Sequence, residues 1–172
     1  MSITLRAAHP SDVPVILGFI EGLADYEKLA HACVATEAKL TATLFGPRPY
    51  AEVLLAFWDE RPAGFALFFH NYSTFLAKAG IYLEDLYVDP GFRGKGLGKA
   101  LLKALAKLAV ERNCGRLEWS VLDWNQPAIQ FYKSLRAVAM DEWTGYRLTK
   151  EGLENLAKPS PIAGIWRTTG DA

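Results

Sequence analysis

The sequence predicts an α/β (α+β) fold, with a mixed and mostly antiparallel sheet covered by helices on both faces. Three observations lead there. A short apolar strand and two helical segments open the chain. Three strand-like runs then follow in succession, the first two joined by the tight turn Asp59-Glu60-Arg61-Pro62. The third strand leads through a glycine-rich turn into a long amphipathic helix, and another strand and helix come after it. A length of 172 residues suits one core.

Ile3 to Ala7 reads as a short edge strand. Ser11 or Asp12 is suited to cap the first helix and Pro14 fits its first turn. Ile16, Phe19, Ile20 and Leu23 recur at helical spacing until the pattern fades near Tyr26-Glu27-Lys28. Thr36 caps a second helix carrying Leu40 and Leu44, which Gly46-Pro47-Arg48-Pro49 stops. Ala51–Trp58, Ala63–His70 and Gly80–Val88 are strands. The long helix covers about Gly96 to Arg112 on a core face of Leu97, Leu101, Ala104, Leu105 and Leu108, with Asn113 or Gly115 as left-handed C-cap. Arg116–Leu122 is the next strand, with Leu117, Trp119 and Val121 on one face. Asn125 caps a helix to about Leu135, with Pro127 in its first turn. Strand-like pieces at Val138–Met140 and Tyr146–Thr149 precede a last helix at about Lys150–Ala157. Residues 1–157 are expected to form a single domain, with an irregular tail over 158–172 that contains Trp166.

Composition removes several function classes. Lys+Arg and Asp+Glu are both 19, a formal net charge of zero, so no broad basic surface for nucleic acid is implied. The N-terminus lacks the basic head and apolar core of a signal peptide. The most apolar run, Ala63 to Phe69, falls short of the roughly 18 residues a membrane span needs. Cys33 and Cys114 do not make a disulfide framework, which points to a reducing, cytoplasmic setting. His9, His31 and His70 show no metal-ligand spacing.

Arg93-Gly94-Lys95-Gly96-Leu97-Gly98 is an anion site by its physics. Glycines let the backbone approach a ligand and aim N–H groups at one spot, and the helix start adds a positive dipole end. Arg93, Lys95 and Lys99 add full charges, whereas the other lysines of the stripe, Lys103 and Lys107, read as a solvated helix face. The spacing is neither that of a Walker loop, since Ala100 follows Gly98-Lys99, nor Gly-x-Gly-x-x-Gly.

Arg93-x-x-Gly96-x-Gly98 after Leu86-Tyr87-Val88-Asp89-Pro90 resembles the acetyl-CoA motif of the GNAT acetyltransferase superfamily. Ala24-Asp25-Tyr26-Glu27, Tyr82-Leu83-Glu84-Asp85, Trp124-Asn125-Gln126-Pro127 and Phe131-Tyr132-Lys133 extend the resemblance to the spermidine/spermine (diamine) acetyltransferase branch, over about Ile3 to Ala157. The resemblance implies the acyl-CoA N-acyltransferase fold, whose central parallel strands splay to admit the pantetheine arm. It implies acetyl-CoA as co-substrate, with no metal. It places the cofactor on Leu86, Tyr87 and Val88, on Arg93, Gly94, Lys95, Gly96, Leu97, Gly98 and Lys99, and on Asn125, Gln126, Pro127, Ala128, Tyr132 and Lys133. The acceptor is assigned to Tyr26, Glu27, Glu84, Glu118, Trp119 and Ser120. Fold relatives also suggest a homodimer.

The chemistry asks for such groups. An alkyl ammonium, with a pKa of roughly 10, must lose a proton before it attacks a thioester. Glu84 is a candidate base, acting through water. Strand alternation places Glu84 and Asp85 on opposite faces, so both cannot serve one site unless a bulge intervenes, and the resemblance favours Glu84. Tyr132 is the candidate acid for the departing thiolate, and backbone N–H groups near Tyr87-Val88 are suited to polarise the thioester carbonyl. Asn125 is suited to cap its helix, to contact the pantetheine arm, or to do both.

The expected function is direct acetyl transfer to a primary amine of a small cationic acceptor, a polyamine, diamine or lysine-like molecule. A protein lysine or N-terminus, an amino acid or an aminoglycoside are alternative acceptors, and a non-catalytic acyl-CoA-binding module is the alternative class. Two departures from the family stand out. Arg136 occupies a position where the family usually has glycine, and the tail from Lys158 is extra.

Overall fold

A computed structural model of the chain describes residues 2–158. The chain divides into two compact units, one up to Trp124 and one from Asn125 on. The Trp166 tail lies outside the described residues.

The first unit holds a five-stranded sheet in the order β1 (Ile3–Ala7), β2 (Glu52–Trp58), β3 (Arg61–Ser73), β4 (Lys78–Val88), β5 (Leu117–Trp119). The first three pairings are antiparallel and β4–β5 is parallel, the mixed and mostly antiparallel sheet that the element order predicts. Its helices are α1 (Val13–Tyr26), α2 (Glu37–Leu44) and α3 (Leu97–Glu111). Val13, Ile16 and Phe19 of α1 bury against Leu40 and Leu44 of α2 and against Val53, Leu55, Phe65 and Tyr87 of the sheet. Phe19 stacks on Phe65 with ring centroids 5.8 Å apart. Each such side chain contributes roughly 1.5–3 kcal/mol on leaving water. Leu97, Leu101, Leu102 and Leu105 form the buried stripe of α3, which contacts β3 and β4.

Local chemistry sets the element ends. Thr36 accepts a bond from the Lys39 N–H and caps α2, as its side chain suggests. Asp12 does not cap α1 through its side chain. Its carboxylate instead takes two bonds from Arg6, at 2.7 and 2.8 Å, and one from the His9 N–H, tying β1 to the start of α1. The Arg6 guanidinium holds that carboxyl down at about 2. α1 and α3 both end in Schellman turns, in which the residue past the cap is left-handed: Lys28 at φ 62° and Asn113 at φ 53°.

In the second unit, α4 (Gln126–Ser134) is capped by Asn125, whose Oδ1 accepts the Ala128 N–H. It too ends in a Schellman turn, with Arg136 N–H bonded to Lys133 O and Ala137 N–H to Tyr132 O. Arg136 adopts φ 64°, so it tolerates the left-handed strain that a glycine would avoid. The strands expected at 138–140 and 146–149 are absent, and both segments are irregular. A strand needs a hydrogen-bonded neighbour, and alternation alone does not supply one. Trp143 and Tyr146 are accordingly exposed. α5 (Glu151–Ala157) follows. The β5 strand is likewise shorter than the expected 116–122.

Candidate active site

β4 does the positioning. It pairs with β5 only at Ile81, Tyr82 and Leu83, then runs on to Val88 beside β3 alone. The two parallel strands therefore part company at Leu83, which leaves a backbone edge of β4 without a strand partner from there to the glycine turn.

The same point carries an irregularity in the β3–β4 ladder. Leu67 pairs with Asp85 and Phe68 with Leu83, so Glu84 is an extra residue opposite no partner. Phe65 and Leu67 lie on the α1 side of the sheet, so Phe68, and with it Leu83, faces the other side. Asp85 and Tyr87, paired with Leu67 and Phe65, face α1. The exception left open by the sequence, a bulge, is thus what the chain uses. The charge of Glu84 acts on Asp85.

Burial pushes the Asp85 carboxyl up to about 6, helped by the charges of Glu84 and Glu27. Burial also raises Glu27. Among the described residues, none of the three carboxylates forms an ion pair. Asp85 is the perturbed carboxylate that sequence reading set aside in favour of Glu84. Its only signal was adjacency to Glu84.

Aromatic side chains cluster at the end of α1, next to Glu27 in the chain. The Tyr26 ring lies 5.9 Å from that of Trp124. The Arg93 guanidinium sits 4.7 Å over Tyr26 and 5.9 Å from Tyr87, while its Nε donates to the Val88 carbonyl at 3.0 Å. The Tyr87 hydroxyl reaches α1 at Gly22, where a Cβ would come within 2.5 Å of it. Glycine there is a packing requirement.

The turn after β4 has the expected anion-site form. Gly94 and Gly96 take φ 75° and 87°, conformations in which a side chain is strained although space is open. Gly96 begins α3 and no side chain caps that end. The first N–H groups of α3 are thereby left for a ligand. Lys99 lies exposed in the first turn. Lys95 is drawn aside, its Nζ 5.0 Å from both the Trp58 and Phe92 rings and bonded to Gly91 O.

The remaining expected acceptor residues, Glu118, Trp119 and Ser120, lie in or just past β5. Glu118 Oε2 accepts from Asn71 Nδ2 and pairs with Arg116 Nε, both at 2.7 Å, so its charge is already met within the fold. Ser120 Oγ bonds the Tyr82 hydroxyl at 2.7 Å. In the second unit, the Tyr132 ring lies 5.5 Å from Phe131.

The residues present fit acetyl-CoA in their chemistry. Uncapped helix N–H groups and two left-handed glycines suit a diphosphate, and the open β4 edge suits an amide-bearing arm. The Acetyltransferase (GNAT) family profile matches residues 20–136. The chain belongs to the GNAT acetyltransferase family. It is an N-acetyltransferase, and acetyl-CoA is the family's co-substrate. It is 36% identical to L-ornithine N5-acetyltransferase NATA1 of Arabidopsis thaliana, over 90% of this chain and 87% of that one. It is also 36% identical to thialysine N-epsilon-acetyltransferase of Sus scrofa, over 91% and 98%. An integron cassette protein from the mobile metagenome of V. cholerae superposes with a TM-score of 0.79 at 29% identity, covering 92% of this chain and 99% of its own. The resemblance read from the motifs is borne out for this GNAT acetyltransferase, and so is the fold. Among the described residues no helix is long and apolar enough to cross a membrane, and no cluster of acids, histidines and cysteines could hold a metal.

Proposed function

We propose that this chain moves acetyl from acetyl-CoA directly onto a primary amine of a small cationic acceptor, a diamine, polyamine or lysine-like molecule. One observation carries the reading: Glu27, Glu84 and Asp85, on and beside the strand that runs into the glycine turn, form no ion pair among the described residues, and the charges of Glu84 and Glu27 act on Asp85. An ammonium supplies the missing charge. Relatives named for ornithine and thialysine support an acceptor of that size.

When bound, acetyl-CoA supplies the thioester. The N–H groups from Gly94 to Gly98, with Lys99, hold its diphosphate, and Leu86, Tyr87 and Val88 offer their open edge to its arm. Asn125, Gln126, Pro127, Ala128 and Lys133 take the rest, as the resemblance implies. Glu84 and Asp85 receive the ammonium and share its proton, Glu84 through water. The free nitrogen bonds the acetyl carbon while a backbone N–H near Val88 steadies the carbonyl oxygen. As the carbon–sulfur bond breaks, Tyr132 gives its phenolic proton to sulfur. Tyr26, Glu27 and Trp119 guide the acceptor. The catalytic domain spans 1–157 and works in the cytoplasm as a homodimer, a reading supported by free Cys33 and Cys114 and by exposed apolar side chains such as Trp143 and Tyr146.

The test is thiol release from acetyl-CoA across a panel of polyamines, diamines, lysine analogues and peptides. Glu84→Gln should slow turnover most at low pH, where free amine is scarce. Tyr132→Phe should lower kcat and leave acetyl-CoA affinity nearly unchanged. Full activity of both variants at every pH would remove these roles.

A further inference from the structure

Lys95 belongs to the glycine turn, yet its side chain lies on a patch that the mechanism above does not use. Its Nζ is 5.0 Å from the Trp58 ring and 5.0 Å from the Phe92 ring. The Arg61 guanidinium stands 5.2 Å from that same Phe92 ring. Two cations therefore share one aromatic side chain. Neither forms an ion pair among the described residues. The acids nearest to them in the chain do not supply one. Asp59 Oδ1 accepts the Ser2 N–H, and Asp89 Oδ1 accepts the Gly91 N–H. Glu60 is exposed at φ 65° and also forms no ion pair.

The patch borders the turn directly. Trp58 is the ladder partner of Ile3 on one side and of Arg61 on the other, so the three side chains share one face of the sheet. Ile3 Cδ1 lies 4.0 Å from where a Cβ on Gly96, the start of α3, would stand. Arg61 and Lys95 are exposed, and Trp58 and Phe92 are half-buried. An aromatic and cationic shelf thus runs from the uncapped end of α3 to the turn between β2 and β3.

Acetyl-CoA has more negative charge than the turn answers. The turn N–H groups and Lys99 serve the diphosphate, which leaves the ribose 3′-phosphate and the adenine. A phosphate monoester carries a charge of roughly −1.5 to −2 near pH 7, and it is matched by two cations without partners. A purine is matched by an aromatic face. A cation over an exposed ring is held weakly, so Lys95 can turn to a phosphate and uncover the Trp58 ring.

We infer that Arg61 and Lys95 bind the ribose 3′-phosphate of acetyl-CoA while Trp58 stacks on its adenine, in a subsite between the glycine turn and the β2–β3 turn. This rests on the acetyl-CoA reading above and adds a place for the nucleotide end of that molecule.

CoA and 3′-dephospho-CoA, which differ only in that phosphate, test it by isothermal titration calorimetry with the full chain. The wild type should bind CoA roughly ten- to a hundredfold more tightly than dephospho-CoA. Arg61→Met and Lys95→Met should each weaken CoA about tenfold and leave dephospho-CoA within about twofold, and the double variant should bind the two alike. Trp58→Leu should weaken both ligands by about the same factor, roughly tenfold, and so keep the ratio. Lys133→Met removes the competing cation that the resemblance assigns to the cofactor, and it should also keep the wild-type ratio. Equal wild-type affinities, a ratio that survives in the double variant, or a ratio lost in Lys133→Met overturns the inference while leaving the acetyl-CoA reading intact. Unchanged affinities in Trp58→Leu remove the adenine contact. Failure of the wild type to bind either ligand defeats the acetyl-CoA reading and this inference with it. Arg61 and Lys95 are exposed, so loss of fold should not intrude, and a circular dichroism melt of each variant checks this.

Discussion

Asp12 and Asp85 are aspartates of one fold that titrate in opposite directions. Asp12 has a cation of its own, and the two bonds from Arg6 hold its carboxyl down at about 2. Asp85 has none, and burial with Glu84 and Glu27 nearby pushes it up to about 6. The first acid fastens a strand to a helix. The second is left incomplete, which is the condition a cationic acceptor can satisfy. Glu118 belongs with Asp12, since Arg116 and Asn71 already engage it. The distinction that matters is whether the fold supplies the counter-charge.

The largest effect that would sharpen this contrast is on turnover. Asp85→Asn should lower kcat about a hundredfold at neutral pH, the scale of losing a group that moves a proton. Glu118→Gln should stay within about threefold. Similar losses in the two variants would erase the contrast. Next comes stability at Asp12. Asp12→Ala should cost about 2 kcal/mol in urea unfolding at pH 7, a figure already discounted for the exposed half of Arg6. Because the folded carboxyl is the stronger acid, that contribution is complete above about pH 4 and disappears as pH falls toward 2. The smallest effect has the reverse sign. Folded Asp85 keeps a proton that the unfolded chain gives up between about pH 4 and 6, so native stability falls as pH rises through that window. Asp85→Asn should therefore equal the wild type at pH 4 and be more stable by about 1 kcal/mol at pH 8, the roughly 3 kcal/mol of the full shift being cut by solvent at this partly exposed site. A destabilised Asn variant at pH 8 would mean that Asp85, like Asp12, has a partner within the fold.

Much of the scaffold was legible because it depends on neighbours in the chain. The leucine stripe of α3, the Thr36 cap, the left-handed Asn113 and the Gly94–Gly96 turn are consequences of spacing and backbone freedom within a few residues. Glu84 was legible as a candidate through its place on the strand before the turn. Asp85 was not, because its role follows from a register with Leu67 and Phe68 on another strand. The partners of Glu118 were hidden for a related reason. Asn71, one of the groups that engage it, comes from 47 residues away, and no local pattern announces that bond. The segments 138–140 and 146–149 have the alternation of strands, but a ladder is a property of two segments, and one sequence window shows only half of it.

The irregularity at Glu84 can also be counted as chain length. On either side of it the pairs Phe68 with Leu83 and Leu67 with Asp85 are neighbours on β3, as they would be in an unbroken hairpin. The inward and outward phases of Leu83 and Asp85 are those of a regular strand one residue shorter. Glu84 is in that sense an insertion: the register shifts by one residue there, the ladder continues on both sides of it, and the residue proposed as the base is one the hairpin's pairing does not need.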